Sequence, residues 1–179
     1  MTLTYQTNTY TYLYACAKWV RNQPIPQESP GFALYRRMTH LTFLALTYEA
    51  FLNHCGFLTV PWWQIAERTM STEAKLAVVL DVSKLSFDDG RRPMQSLTVL
   101  MKLRNEMAHG KTASIPFVEG TVFHPNNLHP KWLKAIKVCD EDRLQEDVVE
   151  FVTQVYNALG FNEEHPTPFG LMGITKSAP

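Results

Sequence analysis

An excess of positive charge is the first thing this sequence lacks. Lysine plus arginine and aspartate plus glutamate number 17 each, so the molecule as a whole is no electrostatic glove for nucleic acid. Any contact with a polyanion has to come from a local patch. Cysteine is scarce too: Cys16, Cys55 and Cys139 are odd in number, far apart and outside any paired motif. That excludes a disulfide-framed scaffold, and the three read as small buried apolar side chains in a reducing cytoplasm. No apolar run approaches the roughly 20 residues that span a bilayer. The Thr- and Tyr-rich start has neither the basic head nor the apolar core of a signal peptide. A cytoplasmic location with no membrane partner is the expectation. Walker loops, dinucleotide fingerprints, nucleophile elbows and internal repeats are all absent, and no cofactor is expected.

What is present suits one all-α domain. The 179 residues are 45% hydrophobic and 19% charged, enough to bury a core without staples. From Tyr10, the recurrence of Leu13, Tyr14, Ala17 and Val20 predicts a helix, although the alternating threonines and tyrosines of residues 2–12 also suit a short strand. Three prolines and a glycine make residues 23–31 a connector. Residues 32–55 are apolar nearly all round, with Leu34, Met38, Leu41, Ala45, Tyr48 and Leu52 as the strongest stripe, and such a helix belongs inside a bundle. Pro61 can open a short helix carrying Trp62 and Trp63; paired tryptophans can stack on bases, but are more often core or interface anchors.

Ser71 or Thr72 caps the next helix, over EAKLAVVLDV. KWLKAIKV is a short amphipathic segment, and Asp140 starts the clearest helix, with Leu144, Val148, Phe151, Val155 and Leu159 on one stripe and Gly160 after it. The expected fold is a helical bundle of about five helices with a long loop over residues 112–130. Its parts are an N-terminal helix and connector (1–31), a helical domain (32–160) and a C-terminal tail (161–179) ordered only by docking.

The most informative stretch runs from Pro93 to Lys111, with proline opening a helix and Gly110 as its expected C-cap. Leu97, Val99, Leu100, Met101, Leu103, Met107 and Ala108 fill one broad apolar arc, and Arg104 falls inside it. A guanidinium cannot shed its charge, so it must meet a carboxylate, a phosphate or a wet groove. His109 lies about 140° round the wheel from Arg104, on the polar strip of Thr98, Lys102 and Asn105. Asn105 is one turn from His109 and can touch it. A fixed cation, an amide and an imidazole at one helix end can bind an anion and move protons beside it. They can equally be a structural ion pair and a helix cap.

Other candidates are weaker. Glu49 and Asn53 sit one turn apart at the edge of the 32–55 stripe, and a carboxylate there needs a partner, which suggests Glu49 opposite Arg104. Arg91 and Arg92 read as a solvated pair at the far end of the motif helix, and Glu141, Asp142, Glu146 and Asp147 as a solvated face suited to a helix start. His124 and His129 in HPNNLHP lack further ligands at matching spacing, so no metal site is expected.

The segment LRNEMAHG, with Arg104, a polar neighbour at Asn105 and His109 four residues further on, resembles the signature of the HEPN superfamily. The apolar helix with TYEAFLN (Thr47 to Asn53) followed by STEAKL (Ser71 to Leu76) is similar to the first half of bacterial HEPN domains; together these cover residues from about 33 to 160. The resemblance implies a HEPN-like bundle and a metal-independent endoribonuclease in which the ribose 2′-hydroxyl attacks the adjacent phosphorus. By position it implies His109 as acid and base, Arg104 as phosphate clamp and Asn105 as orienter. Lys102, outside that motif, lies on the histidine's face and can hold the RNA backbone.

Metal-free cleavage needs a base at the 2′-oxygen and an acid at the 5′-oxygen, and one imidazole cannot be both at once. Two copies of His109 across a two-fold axis through the motif helices would share the work, which makes RNA and a second copy of the chain the expected partners. Three readings stay open: a ribonuclease of toxin or phage-defence type, a dimeric binding or regulatory module that keeps the motif for structure, and a toxin held by an antitoxin protein. The last departs from its pattern, since such toxins carry tyrosine two places after the histidine and this chain has Lys111.

Overall fold

The computed structural model describes residues 3–25, 31–110, 131–163, 167–170 and 173–176. Within them the chain forms an all-α bundle: α1 (Thr9–Arg21), α2 (Phe32–Thr59), α3 (Trp63–Ala66), α4 (Thr72–Ser83), α5 (Met94–Ala108), α6 (Lys131–Val138) and α7 (Glu141–Ala158). The seven exceed the expected five because Trp63 starts a single turn of its own and KWLKAIKV is fully helical. Strand β1 (Leu3–Gln6) pairs antiparallel with β2 (Gly173–Lys176), so the tail docks on the start of its own chain. Tyr10 strengthens that closure by donating from its hydroxyl to the Pro168 carbonyl at 2.6 Å, and Phe169 packs on Tyr14 with ring centroids 4.1 Å apart.

Helix α2 is the central element, packed by α1, α4, α5 and α7. Leu41, Leu44, Tyr48, Phe51 and Leu52 from α2 meet Leu97 and Leu100 from α5 and Val148, Phe151 and Val152 from α7 in one core, which also holds Tyr10 and Ala17 from α1. The predicted stripes place these residues because a period of 3.6 brings them to one side of each helix. On α5, though, Val99 and Ala108 of the predicted arc face outward. The caps follow local chemistry: Ser71 accepts from the Ala74 N–H at 3.2 Å, Asp140 from that of Arg143 at 3.1 Å, and Gly160, just after α7, takes a φ of 76°.

Helix α2 runs past the expected end at residue 55, to Thr59, with Gly56 inside it. Its reason is Trp63, whose buried ring lies so close that a Cβ at position 56 would stand 2.2 Å from it. Gly56→Ala is therefore expected to lower stability by about 1–3 kcal/mol through overpacking, despite alanine's better helix propensity. A urea melt reads this as a lower midpoint at unchanged slope.

Two acidic residues of α7 correct the expectation of a solvated face. Glu141 is only 5% exposed: its carboxylate accepts from Arg37 Nε at 2.5 Å and faces His40 Nδ1 at 3.0 Å, with Arg21 Nε 3.9 Å away. Asp147 is fully buried and accepts from Arg92 Nε at 2.6 Å, while Glu146 takes the same guanidinium at 3.1 Å. So Arg92, expected to be solvated, is a strap between the start of α5 and α7. Asp142 does stay exposed, bonded to Arg21 at 2.6 Å.

Burial alone would raise the Glu141 carboxyl, but the bonds with His40 and Arg37 and the nearby guanidinium of Arg21 outweigh it and hold the group down at about 2, against an ordinary 4.5. A carboxyl depressed in the folded state stabilises fully above its unfolded value and loses that contribution as the pH falls toward its folded value. Stability at constant ionic strength is therefore expected to decline from about pH 4.5 to about pH 2, and a Glu141→Gln variant should show a shallower decline over that window in thermal melts.

Candidate functional site

The site is built on the C-terminal half of α5. Arg104 lies toward α2, and its Nη2 donates to Glu49 Oε2 at 2.9 Å. The pair is neither sealed nor free, the side chains being 28% and 24% exposed. Arg104 Nη1 donates to Asn105 Oδ1, also at 2.9 Å. The guanidinium is thus fixed from two sides, with an edge open to solvent, a geometry suited to a planar anion-binding fork.

Sequence reasoning missed the third charged member. Lys75 of α4 is buried, and its Nζ lies 3.9 Å from Glu49 Oε1. One carboxylate therefore serves two cations, which leaves the trio one positive charge in excess beside the cleft. The only signal was Lys75 at the i, i+4 spacing from Val79 that marks a buried helix face, and a lysine there reads as a snorkelling rim residue.

His109 is itself the C-cap of α5, its N–H donating to the Asn105 carbonyl at 2.9 Å, and the left-handed closure expected at Gly110 does not form. Its imidazole is exposed and lines a cleft of about 560 Å³ between α4 and α5. Lys102 and Asn105 line the same cleft along α5, with Glu106 beside them. Thr72, Glu73 and Leu76 form the α4 side, and Met94, Leu97, Thr98 and Met101 continue the α5 wall. Tyr48 of α2 makes the floor.

Of the predicted residues, Glu49, Arg104, Asn105, Lys102 and His109 gather around this end of α5. Arg104 keeps to the α2 side of the helix and is not among the residues lining the histidine's cleft; Asn105 connects the two, bonded to one and sharing the opening of the other. Asn53 is not part of the group. It lines a separate cavity of about 290 Å³ with Asn8 and Glu67, and its buried Oδ1 has no hydrogen-bond partner among the described residues. One helical turn beyond Glu49 it lies about 6 Å further along α2, beside Thr7 and Asn8 before α1.

Trp63 is a core anchor and Trp62 a half-exposed neighbour, far in the chain from the site. Among the described residues no three His, Cys, Asp or Glu side chains stand where they could hold a metal ion, and no helix is long and apolar enough to cross a membrane. His124, His129, Lys111 and the 112–130 loop lie outside the described residues.

No family model matches this chain, and neither a curated protein nor a solved structure matches it.

Proposed function

We propose that this protein is a HEPN-like, metal-independent endoribonuclease of toxin or phage-defence type, acting in the cytoplasm as a homodimer paired through α5. The observation that carries the reading is the placement of Asn105: it accepts from the Arg104 guanidinium at 2.9 Å and lines the cleft onto which His109 opens. Arg104, braced by Glu49, holds the phosphate; Asn105 orients it; Lys102 holds the RNA backbone. His109 of one protomer takes the 2′-hydroxyl proton as the 2′-oxygen attacks phosphorus. The bond from phosphorus to the 5′-oxygen then breaks, and the imidazolium of the second His109 protonates that oxygen. The products are a 2′,3′-cyclic phosphate and a 5′-hydroxyl end. An antitoxin protein fits this picture as a partner that covers the dimer cleft.

A second reading, a dimeric binding or regulatory module, is favoured by the bonding of Arg104 within one protomer, where Glu49 and Asn105 already engage both of its terminal nitrogens. Incubating the purified dimer with transfer RNA and single-stranded RNA in chelator separates the two. Cleavage supports the nuclease; RNA that is bound and left intact at every protein concentration supports the module.

A further inference from the structure

The cleft beside His109 is larger and more apolar than a phosphate alone requires. Leu76 from α4 and Met94, Leu97 and Met101 from α5 form facing walls, a surface that a flat, polarisable ring covers well, since thioethers make favourable contacts with aromatic faces. Phosphate binding needs none of these groups.

The floor supplies the second observation. Tyr48 is only 2% exposed, yet it lines the cleft, and no described residue hydrogen-bonds its hydroxyl. The hydroxyl is not among the fully buried polar atoms left without a partner, so it is open to the cleft it lines, and that open side is where a ligand's polar edge belongs. Glu73 and Thr72 stand on the α4 side with further hydrogen-bonding capacity. The Glu73 carboxyl is held below its ordinary value by bonds from its own backbone N–H and from Ser71. Apolar walls, polar groups at the floor and one edge, and a volume of about 560 Å³ match a small-molecule pocket for a heteroaromatic ring.

Position connects this pocket to the motif. Asn105 and His109 stand at one end of the α5 wall, and Met101, Leu97 and Met94 follow at successive turns below them. A nucleotide's base lies one sugar away from its phosphate, a span comparable to one helical turn of about 5.4 Å.

We propose that the cleft between α4 and α5 is a nucleobase subsite, which takes one unpaired base of an RNA whose phosphate lies at Asn105 and His109, its ring between Leu76 and the α5 methionines and its edge on Tyr48. The proposal rests on the ribonuclease reading for the identity of the polymer and adds the class of substrate. A base inserted as far as Tyr48 cannot keep its pairing partner, so the RNA is single-stranded or looped at this position.

Guanosine 3′-monophosphate, which carries no scissile linkage, tests the subsite apart from catalysis, with ribose 5-phosphate as the baseless control. The nucleotide is expected to shift the methyl resonances of Met94 and Met101 and to saturate at a concentration at least about tenfold lower than ribose phosphate, a difference worth 1.4 kcal/mol. Thr98→Trp fills the cleft mouth from an exposed position on α5 and is expected to remove that difference without lowering the melting temperature. Equal affinity for the two probes, or nucleotide binding that survives Thr98→Trp unchanged, would overturn the subsite. Binding of the nucleotide by a protein that cuts no RNA would retain the subsite and remove the nuclease reading. Cleavage of RNA with an abasic residue at each position in turn, always at the intact rate, would retain the nuclease and remove the subsite.

Discussion

His109→Ala is expected to lower RNA cleavage by about 10²–10⁴-fold, the usual worth of general acid–base catalysis, while leaving the fold intact. The size follows from the chemistry: the variant lacks the imidazole that takes the 2′-hydroxyl proton and supplies one to the 5′-oxygen in the proposed reaction. Indifference of the fold follows from the structure. His109 is exposed at the C-cap, and the hydrogen bond it contributes to the helix end comes from its backbone N–H, which alanine keeps. Single-turnover cleavage of a labelled RNA beside a thermal melt measures both. A variant that unfolds would mark the residue as structural. One that cuts at the wild-type rate would remove it from the chemistry.

The largest expected loss of stability lies far from that site. Glu141→Ala strips the carboxylate from Arg37 and His40, leaving a fully buried imidazole and a half-buried guanidinium with part of their bonding unmet. Removing one partner of a buried charged network costs about 3–5 kcal/mol. For a chain of this size that corresponds to a fall in melting temperature of roughly 10 °C. Glu141→Gln keeps the shape and part of the hydrogen bonding and is expected to lose less. Cleavage per folded molecule should not change in either variant, since Arg37, His40 and Glu141 tie α2 to the start of α7 rather than to the motif end of α5. Melting temperatures equal to wild type would mean that water replaces the carboxylate at no cost.

Charge and periodicity made some of this legible in the sequence and left the rest hidden. The pairing of Arg104 with Glu49 could be argued from two helical wheels, because each residue sat at the margin of an apolar stripe and neither could be buried alone. Glu141 and Asp147 could not be read that way. Their partners, Arg37, His40 and Arg92, come from distant helices, and a wheel shows which side of a helix a residue occupies but not what lies across from it. On α7 alone, four acids at a helix start look like a solvated face suited to the dipole.

Asn53 failed for a related reason. Four residues on from Glu49 the side chain keeps nearly the same face but lies about 6 Å further along the helix, and there it lines another cavity. Lys75 was hidden by its own stem, whose methylenes fill a core position while the ammonium reaches the Glu49 carboxylate. The cleft floor at Tyr48 belongs to the same class: its ring was legible as core, its open hydroxyl was not.

The proposed cleavage requires two copies of one short motif to meet at one phosphate. The most direct measurement is cleavage by a purified mixed dimer holding one wild-type and one His109→Ala subunit, with the product ends mapped. Shared acid and base roles lead to activity at least about 10²-fold below the wild-type dimer's, and to 2′,3′-cyclic phosphate and 5′-hydroxyl ends from the wild-type dimer. Half the wild-type activity from the mixed dimer, or 3′-hydroxyl ends from the wild type, would contradict it.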